Sequence, residues 1–391
     1  MNRQQFFRAV LPAFLLSSSV GQIYAFTNFS SEIAEYTGAT QGAVQFAFSL
    51  GIFFLGMGAA FFGRLVERNI KLSTIIGTTL FIAGLGVTAL GIEAKSVALI
   101  YAGYGLLLGL GTGTIYISPV KTMMLWFPDN KAIAAAVPII SFGLGSSIST
   151  LLYKSFHPAG SSIALTFVKY AGFYLPFMVC AILLLRKPEG WTEKDGTKGG
   201  GDGFAYGALM RDGFFLRSWL FMLLNISAGL CLIPLAKQMM ASETVGYSPW
   251  FATVIVGLCG LFNGGGRFVF AWWSDRLERR INIMLIILFV SAAMMGLSLF
   301  PVCIGIALLV VNACYGAGFS VIPAILSDHY GMENISKIHG AVLSAWGVAG
   351  IVGNQSAILV GKYCGGYYAV VAMLLVAYLI NAWNVQRLKA L

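Results

Sequence analysis

Twelve apolar runs, each about as long as the roughly 20 residues a helix needs to cross a bilayer, follow one another along this chain. Nearly all of the charged side chains lie in the short stretches between them. The runs fall near 7–28, 42–63, 72–92, 97–120, 132–153, 165–185, 214–236, 249–273, 281–300, 302–326, 338–360 and 364–386. They are called spans 1 to 12 below. Only 10% of the residues are charged, against about a quarter in a soluble domain. So little polar surface cannot cover a globule in water, but it can cover one in lipid. The fold class expected is therefore an all-α membrane protein with twelve transmembrane helices. Arg3 and Arg8 ahead of the first run resemble the start of a cleaved leader. The run extends through about 20 residues and many more follow, so it is read as span 1.

The basic residues fix an orientation. With the N-terminus inside, 18 of the 25 Lys and Arg fall in inner segments and five in outer ones; Lys121 and Arg267 lie within spans. The positive-inside rule then places both termini in the cytoplasm of a multi-pass plasma-membrane protein, the inner membrane if the cell is bacterial. A net charge of +10 distributed in this way speaks for membrane orientation and against a nucleic-acid partner. One hydrophilic stretch, 187–213, is rich in Gly and charge and has no apolar period. It reads as a cytoplasmic linker joining a six-helix bundle over 1–186 to a second over 214–391.

The two halves resemble each other. Gly63 to Lys71 carries Glu67, Arg68 and a further base, and Ala271 to Arg280 carries Asp275, Arg276 and further bases. Gly111 and Gly113 precede Pro119 in span 4, as Gly316 and Gly318 precede Pro323 in span 10. Gly143 and Gly145 in span 5 correspond to Gly347, Gly350 and Gly353 in span 11. Parallel six-helix repeats suit alternating access to a midplane site, and the glycines permit close helix approach. Gly109-Leu110-Gly111-Thr112-Gly113 is not a dinucleotide fingerprint, because no strand precedes it.

All 15 acidic residues are expected outside the spans, whereas Arg267 and Lys121 are within them. A charge in the bilayer core costs at least about 2.5–3.5 kcal/mol and usually has a partner or a function. With no carboxylate expected at similar depth, the missing partner of Arg267 would be an anionic substrate. Arg267 stands six residues before Trp273, so it lies roughly 9 Å deeper along the helix. Its planar fork suits a carboxylate. Asn263, four residues earlier, shares its face and would hold a further oxygen. Lys121 is nearer the inner boundary. Either its stem snorkels or it offers a secondary anion site. Tyr24, Gln45, Tyr116, Tyr315 and Trp346 are amphipathic groups fit to line a small polar cavity. His339, at the start of span 11, reads as a satisfied interfacial residue rather than a proton relay. The six cysteines have no CxxC spacing and read as buried hydrophobes, so neither a metal site nor a cofactor is expected.

Together these features resemble the major facilitator superfamily. The acid-Arg loops are similar to its cytoplasmic signature, with Glu67 for the usual Asp and Ile70 where glycine is expected. The resemblance implies that Glu67, Arg68, Asp275 and Arg276 form a conformational latch. A closer likeness, over nearly the whole chain, is to the oxalate/formate antiporter family with its monocarboxylate carriers. It is carried by Val44-Gln45-Phe46-Ala47-Phe48, Trp126-Phe127-Pro128-Asp129, Phe142-Gly143-Leu144-Gly145, Leu261-Phe262-Asn263-Gly264-Gly265-Gly266-Arg267, Ser327-Asp328 and Tyr330-Gly331. It implies that Arg267 binds the substrate carboxylate, with Asn263, Tyr116 and Tyr24 around it. The oxalate carriers place a second cation, a lysine, in span 11, where the best register here has Trp346. One cation suits one carboxylate, so a monocarboxylate of the formate, lactate or pyruvate class is expected. The carrier is expected to be monomeric, using protons, a counter-anion or neither. Dicarboxylate exchange, drug efflux and a non-transporting sensor stay open as alternatives. An enzyme does not, because no nucleophile with a base is present in the spans.

Overall fold

The computed structural model describes residues 1–158, 160–190, 206–241, 247–364 and 366–389, and no strand occurs among them. Part of the expected linker, 191–205, lies outside the described residues. The spans appear as helices Arg3–Asn28, Gln41–Arg68, Ile70–Glu93, Val97–Trp126, Lys131–Phe156, Ile163–Leu184, Gly213–Ala241, Pro249–Ser274, Ile281–Leu297, Ile304–Tyr330, Ile335–Tyr363 and Gly366–Lys389. Among the described residues, eleven are long and apolar enough to cross a membrane. The ninth has 17 residues, about 26 Å of helix. It stops at Ser298, three residues ahead of Pro301, whose ring cannot continue it.

Spans 2 and 3 are joined by a single residue. Asn69 ends one helix in an extended conformation, and its side-chain oxygen accepts from the N–H of Leu72 at 2.9 Å to start the next. The sequence suggested a loop over residues 63–71. Instead the helix of span 2 runs on through Arg64, Leu65, Val66 and Glu67, all compatible with helix, and Glu67 sits in its last turn.

The chain divides into two compact units. One is Met1–Asp195 with Leu326–Gly347, and the other is Gly196–Ile325 with Val348–Leu391. Grouping by proximity therefore sets the first part of span 11 with spans 1–6. In the first unit, a methyl group on Gly113 of span 4 would overlap the carbonyl of Leu55 in span 2. One on Gly145 of span 5 would overlap the carbonyl of Ser18 in span 1. In the second unit, Gly316 of span 10 lies against the carbonyl of Asn263 in span 8, and Gly353 of span 11 against that of Ser227 in span 7. Spans 2·4 and 1·5 are thus matched by 8·10 and 7·11. The repeat seen as glycine spacing is a repeat of which backbones touch.

Candidate functional site

In the second unit, the close approach of spans 8 and 10 determines what Arg267 can do. Gly266 abuts Ala313 and Gly316 abuts Asn263, so the two backbones lie flush at this level. Ser320 adds a hydrogen bond from its hydroxyl to the carbonyl of Arg267, 2.9 Å. The half-buried guanidinium donates from Nε to Oδ1 of Asn263 at 3.1 Å. Its Cζ lies 5.5 Å from the ring centre of Phe319. Asn263 in turn donates from Nδ2 to the carbonyl of Asn312, 3.2 Å. The face shared by Asn263 and Arg267, expected from their four-residue spacing, is therefore an observed contact. With Nε engaged, the side chain is oriented by neutral groups, an amide and an aromatic face. Tyr315 is buried one helical turn from Phe319, with the two rings 5.6 Å apart. Its ring fills the space left by Gly229 of span 7.

In the first unit, aromatic side chains from four spans meet. Tyr116 and Trp346 stand 5.5 Å apart at 70°. Phe142 touches both, at 5.4 Å and 5.9 Å, and reaches Tyr24 at 5.5 Å. The edge-to-face angles are those that aromatic quadrupoles prefer. Three of the residues chosen from the sequence, Tyr24, Tyr116 and Trp346, are thus drawn together by a fourth, Phe142, which was not chosen as a site residue. Gln45 does not join them; it is exposed on span 2.

Lys121 behaves differently from the sequence expectation. It does not snorkel, since it is 1% exposed, and its ammonium is ion-paired with Glu67. With span 2 ended at residue 63, no carboxylate is expected at its depth. The longer helix carries Glu67 to it. The other oxygen of Glu67 accepts from the backbone N–H groups of Ser336 and Lys337, the latter at 3.4 Å. Those groups open the helix of span 11, where a carboxylate satisfies otherwise orphaned donors and meets the positive end of the helix dipole. The second signature loop is arranged otherwise. Asp275 accepts from Nε of Arg280 at 3.3 Å, while Arg276 stacks 3.8 Å over Trp272 and donates to its carbonyl. Arg68 is exposed.

His339 also departs from its expected place at an interface. It is 1% exposed, and neither ring nitrogen has a hydrogen-bond partner among the described residues. It sits 6.4 Å from the ring centre of Tyr116. A signal for this was available in the sequence. His339 precedes Trp346 by seven residues, two helical turns, so the two share a face.

Comparison with known proteins agrees with this architecture. The sequence model described as Major Facilitator Superfamily matches residues 10–354. An uncharacterized MFS-type transporter, YhjX, of Escherichia coli strain K12 is 25% identical over 350 residues, 85% of this chain and 83% of its own. An oxalate:formate antiporter of Oxalobacter formigenes is 25% identical over 372 residues, 89% and 83% of the two chains. Monocarboxylate transporter 12-B of Danio rerio is 25% identical over 322 residues, 71% of this chain and 64% of its own. Among solved structures, a bacterial homologue of the iron transporter ferroportin in an outward-facing state superposes with a TM-score of 0.73 at 14% identity, covering 100% of both chains. The E. coli fucose:proton symporter FucP gives 0.70 at 17% identity, covering 97% of this chain and 99% of its own. At such identities these structures bear on the fold alone.

Proposed function

The chain belongs to the Major Facilitator Superfamily, and from that premise we propose that it is a secondary transporter of a small organic anion, a monocarboxylate of the formate, lactate or pyruvate class. Arg267 is the anion-binding group. Its fork, oriented by Asn263 and Phe319, takes the carboxylate in a bidentate pair, and the second N–H of the Asn263 amide donates to a neighbouring hydroxyl or keto oxygen. Tyr315, whose ring stands 5.6 Å from that of Phe319, supplies aromatic surface for the organic part of the substrate. Gln45, being exposed, has at most a contact at the periphery.

The single observation that carries this reading is an arginine held deep in span 8 by an amide and an aromatic ring. Such a charge is retained in a membrane span for a ligand or a pathway more readily than for stability. Trp346, standing where the resemblance expects a second cation, narrows the substrate to one carboxylate. The names of two relatives, an oxalate:formate antiporter and a monocarboxylate transporter, support the class. Transport then follows alternating access of two six-helix bundles, 1–186 and 214–391, tethered by a linker at 187–213. Both termini are cytoplasmic in the plasma membrane, and the working unit is a monomer. Neutralisation of Arg267 by the anion lowers the cost of reorienting the loaded protein. Glu67, seated on the start of span 11, is the stronger half of the latch, and Asp275, turned to Arg280, the weaker.

The test is uptake by purified protein in liposomes. Labelled formate, lactate and pyruvate should enter saturably and compete with one another. Oxalate and other dicarboxylates should compete at least tenfold less well. Saturable flux of dicarboxylates or of cationic drugs, with no monocarboxylate flux, would refute the assignment.

A further inference from the structure

Span 12 carries a row of outward-facing side chains that the transport scheme does not use. Val376, Leu379, Ile380 and Trp383 are all exposed, and their spacings of three and four residues put them on one face of the helix. The row is apolar for about two turns before it reaches the indole. Arg387, four residues past Trp383, continues the same face and is exposed as well.

A second cation reaches this face from span 7. Asn384 donates from Nδ2 to the carbonyl of Arg217 at 2.9 Å, and Arg217 donates from Nη1 to Oδ1 of Asn384 at 3.4 Å. This exchange sets the start of span 7 beside the end of span 12. Both guanidiniums then converge on one ring. Cζ of Arg217 lies 6.0 Å from the centre of Trp383, and Cζ of Arg387 lies 5.6 Å from it. Packing against a ring leaves other N–H groups of each fork free to donate.

Among the described residues, neither arginine is ion-paired. The acid nearest to Arg217 in sequence, Asp212, caps span 7 and accepts from the N–H groups of Phe214 and Phe215 at 2.8 and 3.1 Å. Other arginines of this unit are settled differently. Arg280 has Asp275, and Arg276 stacks alone over Trp272 and donates to its carbonyl. Two positive forks brought to one indole repel each other, and an anion between them removes that cost.

We propose that Arg217, Arg387 and Trp383 form a binding site for an anionic phospholipid. The site goes beyond the carrier reading and does not depend on which solute is moved. With both termini in the cytoplasm, the lipid comes from the inner leaflet, where anionic headgroups gather basic residues at helix ends. Its phosphate takes N–H donors from both arginines. The indole packs at headgroup level, as amphipathic rings do at a membrane interface. An acyl chain runs along Ile380, Leu379 and Val376. That apolar row commits the site to a lipid, since inorganic phosphate has no use for it. A lipid seated here fastens the start of span 7 to the end of span 12.

The experiment is native mass spectrometry of the full-length protein, titrated with phosphatidylglycerol and, separately, with phosphatidylcholine. The wild type should hold one phosphatidylglycerol about tenfold more tightly than phosphatidylcholine. Arg217→Gln combined with Arg387→Gln should reduce that preference to about twofold. A control that removes two exposed cations of the first unit, Arg8→Gln with Lys71→Gln, should keep it. Should the first double variant fail to fold, Arg387→Glu changes only an exposed side chain and should lose the preference too. Equal affinity of the wild type for the two lipids would overturn the proposal. So would a preference that survives in folded Arg217→Gln/Arg387→Gln or in Arg387→Glu. Equal loss in the control would show a response to net charge alone, again contradicting a defined site.

Discussion

Two cations were found in the spans from sequence, and the structure treats them in opposite ways. Lys121 in span 4 is sealed from solvent and neutralised by Glu67, which also fastens the first turn of span 11. Arg267 in span 8 is half-buried and oriented by Asn263 and Phe319, which are neutral. A point charge on a flexible stem has been used to close an ion pair inside the protein. A planar fork has instead been oriented by an amide oxygen and an aromatic face. The difference teaches that burial of a charge does not by itself mark a ligand site. The chemistry of the neighbours has to be read as well.

The largest effect should come from breaking the Lys121–Glu67 pair. Lys121→Met leaves a carboxylate without its ammonium and is expected to cost about 3–5 kcal/mol of stability, with Glu67→Gln similarly harmful. The double substitution should recover most of the loss, read from thermal unfolding of the purified protein. If Lys121→Met were instead stable but unable to move anions, the contrast between the two cations would collapse. Arg267→Lys comes next, with an expected drop of about 30-fold in uptake, close to 2 kcal/mol, and little change in melting temperature. Near-normal flux in that variant would mean that the fork is not needed. Asn263→Ala should raise KM about tenfold through loss of the bond that orients Nε, a cost of about 1.4 kcal/mol. Gln45→Ala, altering an exposed side chain, should change uptake less than threefold in the same assay.

How much of this was legible beforehand depended on whether the information was local. The span list rests on hydropathy, which is a property of each segment alone, and the structure returns it with small shifts of boundary. The bond from Arg267 to Asn263 follows from four-residue spacing on one helix, so it too could be read from sequence. The partner of Lys121 could not. Arg64 ends the apolar run of span 2, but nothing there ends the helix until Asn69, and Glu67 is carried to its position by those extra turns. His339 was misplaced for a related reason. Ser336 and Lys337 beside it look like an interface, yet all three are buried because span 11 packs here against a surface of small residues, Ala59 and Gly63. The aromatic cluster was legible as a set of residue types, but the role of Phe142 in joining Tyr24, Tyr116 and Trp346 exists only in three dimensions.

Anion recognition by a guanidinium is most directly tested at equilibrium, without flux. Calorimetric titration of lactate, pyruvate and formate into purified wild type and Arg267→Gln should give saturable binding to the first. Binding to the variant should be weaker by at least 100-fold at an unchanged melting temperature. Equal affinity of the two proteins for these anions would contradict the account.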